Sequence, residues 1–401
     1  MRHTGCSEKL WKYEEEVNRF EQELEERHRA QMRQEMREYL EALDRRASGE
    51  VLRRGGYESK GLKKRKILTR LGVVEVQVRL YENRRGHRIY PLRDICGIGG
   101  ETEGARRRCI RLVVERPYAW SATILREEFG MELSRMRLWK MTQEEGNRRH
   151  QHLEAERAKL YEEARPGAEP NETKSLATIE LDGTLIATRE PGVRDLYGRK
   201  RMEVKVGVLF RGIESVGTSK RKKTAQRSVY ARVSEVEAFG EHWYTHCRLR
   251  GLSSQEVVHV IADGAGWIGT IRQGQFPASR YTLDLYHLKR KAREVLLAQQ
   301  YERFCTLVRT GLLSTALEYL DSLRPSDERH RESLRQFREY VEQNRDGLRY
   351  QPGEIWGSGV VEKIVDIVVG KRMKRQGMSW SKDGANNLLA LRCHHINSIA
   401  A

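Results

Sequence analysis

Long apolar runs and paired cysteines are both missing from this sequence of 401 residues. No stretch of 18 apolar residues occurs, and the first thirty residues are rich in Glu and Arg, so we expect neither a membrane span nor a secretory signal. The cysteines form no CxxC pair and no short-spaced cluster with histidine; they stand at positions 6, 96, 109, 247, 305 and 393. This scatter predicts a cytoplasmic chain with reduced thiols, without a disulfide framework or a zinc finger.

Negative charge is in short supply. The sequence has 75 Lys and Arg residues against 57 Asp and Glu, a formal net charge of +18. Such an excess usually indicates a polyanionic partner, and nucleic acid is the commonest one. Four local clusters of cations are able to neutralise phosphates, at 60–66, 219–223, 287–293 and 370–376. Any one of these clusters, taken alone, can equally be a solvated surface.

The N-terminal region, residues 1–97, is predicted to combine a long helix with a small sheet. Residues 8–46 are highly charged and contain neither Pro nor Gly, which indicates an amphipathic helix that either packs in a core or dimerises as a coiled coil. From 64 to 91 the pattern changes to alternating and β-branched residues with turn glycines. This change predicts an antiparallel sheet.

Residues 98–165 return to helical spacing and have the pattern of a helix-turn-helix. Gly130 would make the turn and Ser134 would cap the second helix. Three cations of that second helix are candidates for DNA contact: Arg135, Arg137 and Lys140. A helical hairpin with a glycine turn is also common in proteins that do not bind DNA, so the contact is one of two open alternatives.

A linker at 164–172, rich in Pro and polar residues, precedes an α/β region that we place at 171–401. Three strands are predicted in succession, within 179–190, 203–212 and 228–234. A helix follows, and then an apolar run from 256 to 268 that predicts a buried strand ending near Asp263. A fifth strand is predicted at 280–288. Carboxyl ends of such strands are where α/β sheets place their ligands.

Three acids stand out in this region. Asp182 and Asp263 each precede a glycine, so each one alone is readily explained as a turn residue. Glu362 lies within an apolar run, where a carboxylate is costly unless it is paired or binds a cation. Together the three carboxylates would suit hard divalent cations that assist phosphoryl transfer. Glu180 shares a strand face with Asp182 and is a possible accessory acid.

The motifs around these acids carry a family resemblance. LDGT contains Asp182, ADGAGWI contains Asp263, and GSGVVE contains Glu362, followed by RMKRQGMSWS. Between the last two, DLYH places Asp284 and His287 in a D-x-x-H pattern. Over about 170–400 the chain resembles prokaryotic insertion-sequence DDE transposases near the Mutator-like superfamily, and the resemblance over 60–146 is looser.

The resemblance implies an α/β RNase H-like catalytic core with a helical insertion at about 291–350, preceded by an α+β N-terminal region. It implies that Asp182, Asp263 and Glu362 bind two Mg²⁺ or Mn²⁺ ions, with Asp284 and His287 as accessory residues. The implied activity is metal-dependent DNA cleavage and strand transfer. The implied partners are double-stranded DNA, as transposon ends and target, and further copies of the chain, in a nucleoid-associated complex.

Several alternatives stay open at this point. The chain is either a transposase, an RNase H-like endonuclease without strand transfer, or an inactive DNA-binding relic. The cations Lys371, Arg372, Lys374 and Arg375 either contact the DNA backbone or cap the end of the helix that carries Glu362. His242, His246 and Cys247 have helical metal-ligand spacing, but an exposed helical face explains them better. Trp267 either packs beneath a strand or stacks on a base.

Overall fold

In a computed structural model of the protein, the described residues are 5–163, 176–215, 222–350 and 355–400. The linker predicted at 164–172 lies outside them, as do the side chains of the basic cluster at 219–223. The chain divides into two compact units, Met1–Met141 and Thr142–Ala401. The predicted ranges 1–97, 98–165 and 171–401 stay an interpretation of the sequence. None of the helices in the described part of the chain is long and apolar enough to cross a membrane.

The first unit contains a long helix, a three-stranded antiparallel sheet and a group of shorter helices. In chain order its elements are α1 (Gly5–Arg54), β1 (Tyr57–Thr69), β2 (Gly72–Asn83), β3 (Arg88–Ile89), α2 (Pro91–Asp94), α3 (Glu103–Glu115), α4 (Tyr118–Phe129) and the first residues of α5 (Arg135–Tyr161). The sheet has the order β1-β2-β3. Long alternating segments joined by glycine turns thus form the sheet that the pattern predicts.

The helix α1 packs into the core of its unit only in its second half. Leu40 and Val51 are buried, at 1% and 0% exposure, whereas Val17 and Phe20 are 56% and 60% exposed. Packing in the core of one chain therefore does not explain the apolar spacing near Val17. The alternative that this half of the helix dimerises stays a prediction.

The second unit is built on a five-stranded mixed sheet. Up to the end of the last strand its elements are the rest of α5, β4 (Ala177–Ala187), β5 (Arg201–Arg211), β6 (Ile213–Ser215), β7 (Lys222–Thr224), β8 (Ser228–Arg232), α6 (Val236–Leu249), β9 (His259–Ala262), α7 (Gly266–Gln275) and β10 (Arg280–Leu283). The order across the sheet is β10-β9-β4-β5-β8. β4, β5 and β8 pair antiparallel, whereas β9 pairs parallel with both β4 and β10.

Helices complete the second unit. After β10 come α8 (Leu285–Val295), α9 (Ala298–Arg309), α10 (Leu313–Ser322), α11 (Glu328–Gln343), a 3-10 turn (Arg345–Gly347), α12 (Gly359–Val365), a π-helical segment (Asp366–Gly370), α13 (Lys371–Met373) and α14 (Lys382–Ala400). The helical insertion expected at about 291–350 begins slightly earlier, at Leu285. It has a core of its own, built around Phe304, Leu317 and Phe337.

Each face of the five-stranded sheet is covered by helices. Ile179 and Leu181 point to one face, where they join Trp243 of α6 and Ile268 of α7 in one apolar cluster. The other face packs against α12, the π-helical segment and α14, through residues that include Val361, Val368 and Leu388. The second unit is therefore a mixed α/β fold, in which α12 lies against the face on which Glu180 and Asp182 are placed.

Candidate functional site

Asp182 and Asp263 lie side by side at one edge of the paired region of two parallel strands. The register of β4 and β9 pairs Thr178 with His259 and Glu180 with Ile261. Asp182 and Asp263 each come two residues after the last of these pairs, so both follow the region in which β4 and β9 are paired. Asp263 also directly follows the last residue of β9, at its carboxyl end.

The electrostatics of Asp182 show that negative charge collects at this edge. Burial, together with the negative charges of Asp263 and Glu362, raises the pKa of Asp182 to about 6. Two interactions lower the pKa of Asp182. The main-chain N–H of Gly183 donates to Asp182 Oδ1 over 2.7 Å, and the charge of His287 also favours the ionised carboxylate. Asp182, Asp263 and Glu362 thus form one electrostatic group, here called the acidic cluster.

Glu362 does not occupy the position that its apolar neighbours suggest. In α12 the helical period places Val361 and Ile364 in the core, whereas the side chain of Glu362 is 50% exposed. The expectation that a buried carboxylate must be stabilised at Glu362 is therefore wrong. Its Oε1 atom lies 2.9 Å from Nε2 of His287, which is 14% exposed. His287 thereby orients Glu362, the acid of the cluster that lies on a helix.

The buried carboxylate on this face is Glu180, which sequence reasoning treated only as a possible accessory acid. Its exposure is 0%, and Oε2 accepts a hydrogen bond of 2.7 Å from the main-chain N–H of Val361. Within the described residues Oε1 has no hydrogen-bond partner. Burial raises the pKa of Glu180 to about 8, and the charges of Asp284 and Glu362 add to this effect. Near neutral pH Glu180 is therefore mainly a neutral acid that joins β4 to α12.

Asp284 has a structural contact at each oxygen. It caps α8, with Oδ1 accepting from the main-chain N–H groups of Tyr286 at 2.7 Å and His287 at 3.1 Å. Its Oδ2 accepts from the main-chain N–H of Ser358 at 2.6 Å and from the Ser358 hydroxyl at 2.5 Å. With 2% exposure, Asp284 fixes the start of α8 relative to the residues that lead into α12. In the D-x-x-H pattern, Asp284 therefore positions elements and His287 contacts an acid.

Residues of the helical insertion also reach this edge, and sequence reasoning did not identify them. The hydroxyl of Tyr340 donates to the main-chain oxygen of Asp263 over 2.7 Å. Gly264 has a φ of +81°, and a Cβ there would lie 2.8 Å from Nδ2 of Asn344. The positive φ and the short distance to Asn344 both require a glycine at position 264, so the ADG motif is more than a generic turn. No periodic signal marks Tyr340 or Asn344, because their role depends on how α11 packs.

The acidic cluster has the donors that a hard cation prefers, namely carboxylate oxygens whose mutual repulsion a cation would relieve. Within the described part of the chain, no three Asp, Glu, His or Cys side chains already form a closed metal-binding group. Nε2 of His287 donates a hydrogen bond to Oε1 of Glu362, which holds that carboxylate on the histidine. The residues fit a cation by chemistry, and Asp182, Asp263 and Glu362 are the ones that would hold it.

The basic residues after α12 divide into exposed and buried ones. Lys371, Lys374 and Arg375 are exposed. Arg372 is 1% exposed, and its guanidinium lies 5.5 Å from the centre of the Trp380 ring, so the prediction that it contacts DNA is wrong. Lys374 donates to the Thr184 hydroxyl. Partial burial lowers the pKa of Lys374, whereas Asp182 acts to raise it, so this cation lies near the acidic cluster.

The helix that carries Glu362 continues to these cations through the π-helical segment, because the residues that join the three pieces keep right-handed helical dihedral angles. The π-helical segment interrupts the regular helix after α12, and α13 then covers only Lys371–Met373. Lys374 is the C-cap of α13. Arg375 follows it and donates through Nε to the main-chain oxygen of Lys371 at 2.9 Å, the type of contact expected of a capping cation.

In the first unit, the predicted pair of helices is present as α4 and α5. Gly130 ends α4 in a left-handed conformation, and the Ser134 hydroxyl accepts from the main-chain N–H of Arg137 at 3.2 Å. Arg137 itself forms an ion pair of 2.5 Å with Glu101, which leaves Arg135 and Lys140 as the exposed cations of the three. Their contact with DNA stays a prediction.

The remaining candidates have structural explanations. His242 and Cys247 are 6% and 0% exposed, so the expectation of an exposed helical face is wrong for both. His242 contacts Glu154 Oε2 at 2.7 Å and His246 contacts the Ser228 hydroxyl at 2.8 Å, which leaves no shared metal position. Trp267 packs against the apolar cluster that contains Trp243 of α6. Its ring lies edge-to-face with the ring of Phe239, with 6.1 Å between the ring centres.

Comparison with known proteins adds a family. No curated protein matches the chain. Two crystal structures of NurA, one with dAMP and manganese and one with manganese, match at 16% and 14% identity, over 67% and 63% of this chain and 63% of each NurA chain. This chain thus spans less than two thirds of the NurA length, and TM-scores of 0.09 and 0.10 support no structural argument. A family match extends over residues 12–401, and the chain belongs to the uncharacterised protein family UPF0236.

Proposed function

We propose that the protein is the DNA transposase of an insertion sequence, and that its second unit is an RNase H-like catalytic domain. The observation that carries this proposal is the acidic cluster. The three carboxylates come from β4, from the residue after β9 and from α12. The charges of Asp263 and Glu362 raise the pKa of Asp182, which lies just beyond the paired region of β4 and β9. This arrangement agrees with the motifs LDGT, ADGAGWI and GSGVVE, which the family resemblance assigns to metal-binding acids.

Within this proposal the residues have separate tasks. Asp182, Asp263 and Glu362 would hold two Mg²⁺ or Mn²⁺ ions, which supply a Lewis acid and an activated oxygen nucleophile when bound. His287 orients Glu362, and Asp284 positions the elements that bear both residues. Lys374 places a cation beside the acids, where the phosphodiester backbone of the cut strand would pass.

The reaction proposed is cleavage at the ends of the element, followed by attack of a 3′-hydroxyl on target DNA. The net charge of +18 supports a DNA partner, and several copies of the chain would act together on the element ends. An endonuclease with this fold would cut without joining. A buried Glu362 would argue against an inactive relic, because a relic has no cation to stabilise a buried carboxylate. Glu362 is half exposed and needs no cation, so this argument against the relic is lost.

The first prediction tests the acidic cluster. Asp182→Asn, Asp263→Asn and Glu362→Gln should each abolish Mg²⁺-dependent cleavage of duplex DNA that carries the element ends, while DNA affinity stays nearly unchanged because Lys and Arg make the phosphate contacts. A double variant should be no worse than a single one, since residues that act as a unit are non-additive. Cleavage and joining are measured on gels with labelled ends.

The matched control is Asp321→Asn, which removes an exposed carboxylate that pairs with Arg338 outside the cluster. It should cut and join as the parent protein does. Appreciable cleavage by one of the three single variants would remove that residue from the cluster's function. Cleavage by the parent protein without joining to a second DNA would identify the endonuclease instead.

A further inference from the structure

The second unit contains a cavity of about 600 Å³ that shares no lining residue with the acidic cluster. Four elements line it: the middle of α5, β8, the end of α6 and α14. Cavities of about 300–1,000 Å³ are typical of sites for small organic ligands, and a bare ion would not fill such a space. Of the lining residues, the sequence analysis singles out only His246, as one of three residues with helical metal-ligand spacing.

Arginine dominates the charge of the lining. Arg148, Arg149 and Arg250 contribute three guanidinium groups, and among the described lining residues the only carboxylate is that of Glu145. Glu145 pairs with Arg148 at 2.8 Å and with Arg149 at 3.3 Å, so one carboxylate serves two cations. Arg250 is exposed and adds a further positive charge. The lining therefore carries a net positive charge.

Two buried nitrogen atoms of the lining are also unpaired. Within the described residues, Nε of Arg149 and Nε2 of His150 have no hydrogen-bond partner. Leaving such groups unpaired is costly, unless a ligand or water satisfies them. Because a guanidinium only donates, the missing partner of Arg149 must be an acceptor.

The neighbouring histidines respond to this field. Burial lowers the pKa of His150 to about 4 and that of His246 to about 3, and Arg232 and Arg250 respectively add to the effect. Burial followed by the charges of Arg149 and Arg250 lowers the pKa of His394. Burial is the larger cause of each shift, and the arginine charges act in the same direction.

The rest of the lining is apolar or aromatic. Leu153 and Val229 contribute aliphatic surface, and the ring of Tyr230 stacks on that of His246 with 5.5 Å between ring centres. We propose that this cavity, here called the arginine cavity, binds a phosphate-bearing ligand of nucleotide size. Arg149 and Arg250 bind the phosphate, and the apolar and aromatic wall takes the base or sugar. The phosphate belongs either to a free nucleotide or to the end of a nucleic-acid strand.

The test is calorimetric titration of the full chain in EDTA, so that cations at the acidic cluster contribute nothing. The probes are AMP, adenosine, inorganic phosphate, and a short single-stranded oligonucleotide with or without a 5′-phosphate. AMP should bind, adenosine should not, and Arg250→Ala should weaken AMP binding by about tenfold, as the loss of one charge-assisted hydrogen bond does. Arg250 is exposed, so its replacement is compatible with folding.

The controls separate a site from general charge. Arg250→Lys should keep part of the affinity, and Arg309→Ala, which removes an exposed cation of α9, should change nothing. Preference for the 5′-phosphorylated oligonucleotide over AMP assigns the cavity to strand ends, and the reverse preference assigns it to free nucleotides. If adenosine binds as well as AMP does, if no phosphate-bearing probe binds, or if Arg309→Ala weakens binding as much as Arg250→Ala, the proposal is overturned. Loss of DNA cleavage has no bearing on these measurements.

Discussion

Glu180 is the residue whose environment differs most from what its neighbours in the sequence indicate. It lies between Ile179 and Leu181 on an alternating strand, a pattern that places a polar residue opposite a buried face and often in solvent. Here both faces of β4 are covered, so the carboxyl is fully buried and joins the main chain of α12. The bond fixes α12 beside β4, and Glu362 is the next residue after the donor.

The second prediction separates the size of the Glu180 side chain from its hydrogen bond. Glu180→Gln keeps an acceptor for the N–H of Val361 and should leave stability and cleavage near those of the parent protein. Glu180→Leu has a similar volume but leaves that N–H unsatisfied, so it should lower the free energy of unfolding by about 1–3 kcal/mol. It should also slow cleavage, with kcat reduced more than DNA affinity. Urea unfolding and single-turnover cleavage measure the two effects.

Equal stability of the Gln and Leu variants would show that the hydrogen bond to α12 contributes nothing. A Leu variant that is destabilised but cuts at the parent rate would restrict Glu180 to a structural role.

Individual site residues could be predicted where local sequence decides their position. Asp182 and Asp263 follow from strand alternation and from an apolar run that ends in Asp-Gly. Glu362 was identified, but for a wrong physical reason, since helical period and not its neighbours sets its exposure. Arg372 is buried beside Trp380, and the unpaired Nε of Arg149 lies in a cavity that α5 and α14 line together. Such contacts between distant segments have no local signal.

At the scale of elements, the strands and long helices follow the sequence pattern closely, and the irregular segment after α12 does not. The run 256–268 predicts a buried strand that ends near Asp263, and β9 does end at Ala262, although it covers only four residues. Gly264, with a φ of +81°, marks the turn that follows. Arg392 of α14 contacts the π-helical segment, and its Nε donates to the main-chain oxygen of Val368 over 2.6 Å. A second donation from Arg392 reaches the main-chain oxygen of Ile367. Main-chain oxygens of this segment are therefore satisfied by a side chain 24 positions later.

The third prediction concerns the exposed cations that follow this segment. If Lys374 and Arg375 contact phosphates, replacing both with Ala should reduce the slope of log affinity against log salt by roughly 0.9 for each lost contact on duplex DNA. Affinity is measured by fluorescence anisotropy from low to moderate salt. Arg335→Ala is the control, because Arg335 is already paired with Glu332 and Glu339 on α11.

An unchanged salt slope in the Lys374 and Arg375 variant, with only a small loss of thermal stability, would favour capping as the role of these cations. The contact of Arg375 with the main-chain oxygen of Lys371 would then be its whole function.

For the whole molecule, the mixed α/β class and the order of elements could be predicted, and the predicted domain ranges stay an interpretation of the sequence. The sequence places a boundary at the linker 164–172, whereas the compact units meet between Met141 and Thr142, inside α5. A continuous helix with no Pro or break gives no local sign that its two ends belong to different units. Composition predicts the polyanionic partner but not which surface binds it.

The fourth prediction is a pH dependence of stability that arises around the arginine cavity. In the unfolded chain histidine takes up a proton near pH 6.5, whereas His150 and His246 in the folded chain do so only near pH 4 and 3. Between about pH 6.5 and 4 the unfolded state therefore binds more protons, and stability falls as the pH falls. Above pH 7 both states are neutral and the two histidines contribute no slope.

We expect these two histidines together to lower the free energy of unfolding by about 4 kcal/mol between pH 7 and pH 5. Glu180 and Asp182, whose pKa values are raised in the folded chain, act in the opposite direction, so urea titration of a histidine variant against the parent protein isolates the histidine contribution. His246→Gln should flatten part of this dependence. His28→Gln, at an exposed position of α1, should leave it unchanged. A curve for His246→Gln that is parallel to that of the parent protein would contradict the assignment to this residue.

The hydrogen bond between Glu180 and the main chain of Val361 joins positions 181 residues apart, and this distance bears on how the protein is made. A ribosome completes the first unit and all five strands of the second unit's sheet long before it reaches Val361. Contacts of such long range form late, because the intervening chain must be ordered before they are gained. A product of interrupted translation that stops before residue 361 therefore contains the basic strand β1 and the paired helices but no complete acidic cluster. Asp182 and Asp263 are then present without Glu362.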